Sequence, residues 1–387
     1  MDGKSTTFIH SMLNLSLIKK AKRKYQEEGI SSLSVHGYRF AKQRFFELLV
    51  WSIIPKDRFL RTISRSRILT HIYFFLTGTY YHEQRALLQG LATYHDTESS
   101  VESRKFRMIR NIHRIEKGLS IPDKKQKNTF AEKYINEVVT DVSFLWNTNV
   151  DNKQLRWAID VLADYFDTVD QTEIIRESEE EFNSFLNEIS YTPENRTPFL
   201  RSEINDSPVD YEDLRTLAIN RTSTRRFQQK NVPRELVDKS LEVALQSPSA
   251  CNRQAYEFRI YDSPEMIDKI TDLSIGASGY KDNIPMLAVI VGKQRAYFDE
   301  RDKHVIYIDA SHAAMSFQLS LETQGLASCC INWPAIPRNQ RKIREVMDLT
   351  DDEQVVMLMA IGYPDPNKKV PYSEKKNLES IRSYNKS

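Results

Sequence analysis

Residues 220–260 constrain the chain more than any other stretch. They read NRTSTRRFQQKNVPRELVDKSLEVALQSPSACNRQAYEFRI. Arg221, Ser223 and Arg225 stand at alternate positions, and alternate side chains of an extended segment share a side. The three can therefore converge on one anion. Phosphate suits them, because the planar fork of arginine matches phosphate oxygens bidentately. Taken alone, the run would read as a solvated basic turn; its context argues otherwise. Pro233 stands at a helix start, with Val237, Leu241, Ala244 and Leu245 as the apolar stripe. A polar loop, Ser247 to Gln254, then supplies hydroxyls, a proline and side-chain amides ahead of a strand-like run, Tyr256 to Tyr261. Such groups read a planar ligand rich in heteroatoms.

The 387 residues suffice for two or three domains. Three cysteines, Cys251, Cys329 and Cys330, are too few for a disulfide framework. With no signal-like N-terminus, the reading is a reducing cytoplasm. No Cys/His spacing suggests a metal site. The net charge of +2 conceals an asymmetry. Residues 1–120 carry 21 Lys/Arg against 10 Asp/Glu, whereas residues 121–215 carry 10 against 21. Mutual packing of these two parts, or a basic surface facing an anionic partner, would each account for it.

The first 190 residues read as helical. A helix over 1–30 ends near Gly29, and aromatic-rich runs follow at 45–54 and 68–81. Neither run reaches the roughly 20 apolar residues of a bilayer span. The arginines between them leave peripheral membrane attachment through 45–81 open, at the inner face of the membrane. A hairpin with its aromatic faces buried in the protein is favoured over it. No nucleic-acid reader motif accompanies the charge, so nucleic acid is not an expected partner. Within 104–122, Arg110, Arg114 and Lys117 fall near one helical face beside His113, and Gly118 reads as the helix end before Pro122. A paired or solvated basic face is the ordinary reading. A substrate anion site at His113, Arg114 and Lys117 is the sharper one. Leu155, Ile159, Leu162 and Phe166 form a helical stripe further on. Proline-rich residues 191–210 are expected to link the helical region 1–190 (basic to 120, acidic from 121) to a second domain, 211–387.

Arg221-x-Ser223-x-Arg225-x-Phe227 and Pro248-Ser249-x-x-Asn252-x-Gln254 resemble the FMN-dependent nitroreductase family. The order continues through Asn283 to Val291, Asp309-Ala310 to Gln324-Gly325-Leu326, Ile361-Gly362-Tyr363-Pro364 and the basic tail Pro371 to Leu378. The resemblance spans about 211–380. It implies an α+β flavin fold, a central mainly antiparallel sheet flanked by helices, preceded here by a mainly α-helical region. It also implies roles. Arg221, Ser223 and Arg225 would hold the FMN phosphate and ribityl chain, with Lys375 or Lys376. Pro248, Ser249, Asn252 and Gln254 would line the isoalloxazine, and Cys330, Ile331, Asn332 and Trp333 would pass near its N5. Ala255-Tyr256 and Ala327 depart from the family's usual Pro-Trp and second glycine.

The same resemblance implies NAD(P)H as reductant, a small-molecule electron acceptor, ping-pong turnover without a dedicated catalytic side chain, and a homodimer with FMN at the interface. Long relatives with a His-Arg-x-Glu-Lys-Gly segment, here His113 to Gly118, are associated with surface-polysaccharide synthesis. Ala310, Ala313, Ala314, Phe317 and Leu321 share a helical face whose small residues would admit a close helix, which suits a dimer. His312 reads as a packed or capping histidine. Two other readings stay open. One is a flavin-fold protein without turnover that binds a membrane surface or partner through its basic N-terminal region. The other is a flavin-consuming or dehalogenating relative.

Overall fold

A computed structural model describes residues 56–386, apart from 97, 99, 122–128 and 149–151. The helix expected over 1–30, the aromatic run 45–54 and Pro122 lie outside the described residues. Contacts divide the chain into two compact units, residues 1–81 and 82–387.

In the first unit, helix α1 (Lys56–Ser64) and helix α2 (Arg67–Thr77) form a hairpin. Ser66 caps α2 by accepting a bond from the Leu69 amide, and Gly78 ends it in the left-handed conformation. Phe59, Tyr73, Phe74 and Tyr80 make edge-on ring contacts with one another. Yet no residue of α2 is buried. This hairpin pairs the stretch between the two aromatic runs with the second run, whose outer face is exposed; the first run, 45–54, lies outside the described residues.

The second unit begins with helix α3 (Tyr81–His95) and a bundle of α4 (Val101–Ser120), α5 (Ile135–Asn147), α6 (Asn152–Thr168) and α7 (Glu173–Glu188). Apolar stripes at helical spacing build its core: Ile109, Ile112 and Ile115 on α4 meet Val138 and Val142 on α5 and the Leu155–Phe166 stripe on α6. All four residues of that last stripe are buried. Charge asymmetry resolves partly inside this bundle. Arg104 and Arg107 of α4 both pair with Asp141 of α5, which is fully buried, and Arg107 also meets Glu137. Gly118 does not end α4, which runs two residues further. It is glycine because a Cβ there would overlap the Phe130 ring. Residues 191–210 hold one 3-10 turn, Arg201–Glu203. Their start is pinned to buried Asp160, which accepts from the Tyr191 hydroxyl at 2.5 Å and from the Arg196 amide at 2.9 Å.

The rest is α+β. Helix α8 (Tyr211–Asn220) and α9 (Arg234–Ala244) precede strand β1 (Tyr256–Tyr261); α10 (Pro264–Thr271), β2 (Met286–Lys293), α11 (Val305–Thr323), β3 (Ala327–Asn332), α12 (Pro337–Met347) and β4 (Glu353–Gly362) follow. The sheet is antiparallel throughout, in the order β1-β2-β4-β3, with an irregularity in β2 at Ile290/Val291. β2 is a continuous apolar run buried on both faces. One face packs on α9 and α11, the other on α10 and α12. Ala310, Ala313, Ala314, Phe317 and Leu321 are buried here against Val237, Ala244 and the sheet. The small-residue face of α11 therefore serves the internal α9 contact. Its exposed strip is Ile308 and Met315, with His312 exposed between them, neither packed nor capping. Leu245, assigned to the α9 stripe, is exposed past the helix end.

Bundle and sheet meet within this unit. Gly90 of α3 faces Gln294 so closely that a Cβ would stand 2.6 Å from its carbonyl carbon. Buried Arg295 joins Glu102 of α4, at 2.8 Å, to Asp352 and Glu353 at the start of β4, at 2.6 and 2.8 Å.

Candidate functional site

The arginine triplet is set by the free edge of the sheet. Ser223 makes a parallel bridge to Ser328 of β3, and the Thr224 amide donates to the Ser328 carbonyl at 3.1 Å. Edge strands present unpaired backbone groups, and here one short segment covers them. Asn283 clamps the segment's far end, accepting from the Phe227 amide at 2.6 Å and donating to its carbonyl at 3.1 Å. Phe227 is buried, whereas Arg225 is exposed with its guanidinium 6.0 Å from the Tyr280 ring centroid. Arg221 is half-buried, close enough to Glu322 to oppose the upward push that burial gives that carboxyl.

β3 explains which of its residues are available. Successive side chains alternate, so Cys330 and Asn332 are exposed while Cys329 and Ile331 point into the core. Ile331 can therefore contribute backbone only. Trp333 is 7% exposed, and its indole N–H is buried with no hydrogen-bond partner among the described residues. A buried donor without a partner costs free energy and asks for an acceptor.

The loop Ser247–Gln254 hangs from α11. Ser247 bonds Ser316 at 2.8 Å, and the Ala250 amide donates to buried Asp309 at 2.9 Å. Ser249 accepts from the Gln254 amide, and the Gln254 amide group donates to Asn252 at 2.9 Å. Pro248 and Asn252 are exposed. Cys251, Asn252 and Gln254 all adopt positive φ, 53°, 54° and 50°. Asparagine tolerates that region, but cysteine and glutamine do so at a cost of order 1 kcal/mol or more each. The loop is over-determined from beneath. Arg253 is buried, donates to the Ala296 carbonyl at 3.1 Å and lies over the Tyr297 ring. Tyr297 in turn donates to Asp309 at 3.4 Å. Burial raises the Asp309 carboxyl above its ordinary value, against the Ala250 and Tyr297 bonds that lower it. Helix α4 packs directly on Ala250–Asn252.

The structure thus brings some expected residues together and leaves others apart. Arg221, Ser223 and Arg225 join the β3 edge that bears Cys330 and Asn332. Pro248, Ser249, Asn252 and Gln254 sit at the other end of α11. Asp309, beneath the loop, and Glu322, near Arg221, lie about 20 Å apart along the helix axis at 1.5 Å per residue. Lys375 and Lys376 lie in the exposed tail past Asp365, whose amide bonds Arg226. Among the described residues no hydrogen bond or ion pair ties either lysine to the triplet. His113 pairs with Glu116 at 3.3 Å, Arg114 stacks over Tyr134 at 3.9 Å, and Lys117 is exposed. Phe106 and Arg110 of α4 reach toward the loop, Phe106 through a core shared with Ala255 and Tyr297 and Arg110 by stacking on Phe298. Sequence reading missed Asp309, Tyr297 and Arg253 as the loop's supports. The one available signal was an arginine between two loop amides, Asn252 and Gln254.

The antiparallel sheet thus carries a cationic segment on its free edge and a strained, amide-rich loop on its central helix. Residues 218–278 and 276–363 match the model of the Nitroreductase family. The match lies in the C-terminal region, and residues before 218 lie outside it. A putative NADH dehydrogenase/NAD(P)H nitroreductase of Methanothermobacter thermautotrophicus is 25% identical over 162 residues, 42% of this chain and 83% of its own. Iodotyrosine deiodinase 1 of Sus scrofa is 22% identical over 246 residues, 56% of this chain and 83% of its own. The structure of an FMN-dependent nitroreductase from Clostridium difficile R20291 is 27% identical, covers 44% of this chain and 98% of its own, and gives a TM-score of 0.38.

Proposed function

We propose that the chain is an FMN-dependent NAD(P)H oxidoreductase of the nitroreductase type, acting on a small-molecule organic acceptor. The observation that carries this reading is the placement of Arg221, Ser223 and Arg225 along the β3 edge by the Ser223–Ser328 bridge. The residues suit the group. Two guanidiniums and a hydroxyl match a phosphate, and the unpartnered indole N–H of Trp333 is a buried donor one residue beyond exposed Asn332. Arg221, Ser223 and Arg225 would hold the phosphate end; Asn332, Trp333 and the backbone at Cys330 and Ile331 would border the ring, as would Pro248, Ser249, Asn252 and Gln254. FMN, when bound, supplies the two-electron chemistry. The protein's share is placement: Asp309, Tyr297 and Arg253 fix the loop so that its amides are aimed before any ligand arrives, which lowers the ordering cost of binding.

The same geometry supports a homodimer. Loop and triplet lie at opposite ends of α11 in one chain. In a two-fold pair, residue i of one copy meets residue j of the other and the reverse. An antiparallel α11 pairing would bring each loop to the partner's triplet, with exposed Ile308 and Met315 in the contact. His113, Arg114 and Lys117 remain the candidate contacts for an anionic acceptor, on the helix that packs against the loop. Surface-polysaccharide synthesis is the proposed setting, on the strength of the His113–Gly118 segment.

The test is spectroscopic. Purified protein should be yellow with a flavin spectrum that NADH or NADPH bleaches under anaerobic conditions. Colourless protein that ignores added FMN would overturn the reading. A dehalogenating activity is the second reading, favoured by the likeness to iodotyrosine deiodinase over more of this chain than the nitroreductase relative covers. Halide release from iodotyrosine by the reduced protein would select it.

A further inference from the structure

The α1–α2 hairpin carries an unanswered face. On α2, Ile68, Leu69, Ile72, Phe75 and Leu76 recur at steps of one, three, three and one, so they share one side of the helix. Every one is open to water: Ile68 is 71% exposed, Phe75 85%, and the other three between 44% and 48%. An 11-residue helix is marginal in water without burial of an apolar side. This one is capped at both ends by Ser66 and Gly78 and buries no residue. The inner ring contacts of Phe59, Tyr73 and Phe74 hold the hairpin together and leave the outer stripe to something else.

The charges indicate what that something is. On α1, Arg58 and Arg61 fall at i and i+3, again one side, Arg65 follows in the turn just past the helix end, and all three are exposed. Arg67 opens α2, also exposed, and Asp57 is the single acidic residue from 57 to 81. Tyr80 and Tyr81, amphipathic and exposed, follow the helix. A polar-apolar helix with aromatic and aliphatic residues on one side and arginines beside it is built for the boundary between headgroups and acyl chains. It is not built to cross: among the described residues no helix is long and apolar enough to span a membrane.

We propose that this hairpin docks on an anionic bilayer surface, the α2 stripe entering the interface and the α1 arginines meeting lipid phosphates. The proposal is independent of the flavin reading, since it uses no residue beyond 81. Apolar insertion supplies the hold, and each arginine near an anionic surface adds to it in a salt-dependent way.

The full-length protein should be tested by co-sedimentation with vesicles of phosphatidylcholine plus phosphatidylglycerol and with vesicles of phosphatidylcholine alone. Binding is expected to the anionic vesicles, weaker by about tenfold or more on the neutral ones and in high salt. Ile72→Glu/Phe75→Glu should reduce binding by about tenfold or more. Arg58→Glu/Arg61→Glu/Arg65→Glu should remove the preference for anionic lipid. All these positions are exposed, so unchanged circular dichroism and melting should accompany each loss. Equal binding to both vesicles, or full binding by the Ile72→Glu/Phe75→Glu variant, would overturn the proposal. So would a shift of that variant from a larger species to monomer in the absence of lipid, because the stripe would then be a contact between copies of the chain.

Discussion

The hairpin of α1 and α2 and the bundle of α4 to α7 are written in the same alphabet and end in opposite conditions. Both are amphipathic helices with aromatic and β-branched residues on one side and charge on the other. In the bundle, Ile112, Leu145, Leu155 and Ile159 are all buried, and Arg104 and Arg107 find Asp141. In the hairpin, the equivalent stripe stays in water and its arginines on α1 face outward. Periodicity states that a face seeks a low-dielectric partner. It does not say whether the partner is the same chain.

Four measurements would break or sharpen that contrast. Phe182→Ala in the bundle should cost about 3–5 kcal/mol in denaturant unfolding, for lost burial plus the cavity left behind. Phe75→Ala on α2 should stay within about 0.5 kcal/mol. Equal costs would mean that the hairpin stripe is covered within the protein. Next, Arg295→Ala should cost about 3–4 kcal/mol, because Asp352 would be left buried without its cation, while Glu353 keeps only Arg259. A loss below 1 kcal/mol would show that the bundle and the sheet are not joined there. Arg225→Ala, at the exposed sheet edge, should weaken FMN retention by about 1.5–3 kcal/mol in a fluorescence titration, while leaving the melting of the ligand-free protein near wild type. Unchanged retention would remove Arg225 from the phosphate end.

The smallest effect concerns pH. Burial raises the Asp309 carboxyl in the folded protein above its unfolded value. The folded state thus binds a proton more tightly than the unfolded one. This residue's contribution is fully present below its unfolded value, near 3.9, and is lost as pH rises through its raised folded value. Asp309→Asn should flatten that portion of the stability profile in urea melts across the acid range, with the asparagine carbonyl still able to accept from Ala250. An unaltered slope would place the carboxyl outside the titrating set.

Much of the fold was legible where one rule acted alone. The α6 stripe, the Pro-started α9 and β1 followed from spacing and breakers, and the long α11 from the family resemblance. The antiparallel α+β architecture was implied by the family resemblance that the ordered motifs carry. What escaped involved competition between rules. Gly118 looked like a stop signal, but it answers the Phe130 ring from outside its helix. The small face of α11 suited a partner copy, yet α9 reaches it first. The triplet was readable because alternation is local. Asp309 was not, because nothing near it in the chain announces that it holds Ala250, 59 positions earlier. Ile331 was grouped with its neighbours, and strand alternation turns it inward.

Glu102 lies 3.5 Å from Lys293 and 2.8 Å from Arg295, a carboxylate lent by the first helix of the bundle to the end of β2 and the turn after it. Seen as inheritance, that loan makes the helical region and the sheet a single heirloom. Exchange the bundle for another, and both cations at that corner of the sheet lose Glu102, leaving Lys293 with Glu257 and Arg295 with Asp352 and Glu353. The compact unit that holds both the bundle and the sheet therefore begins at residue 82.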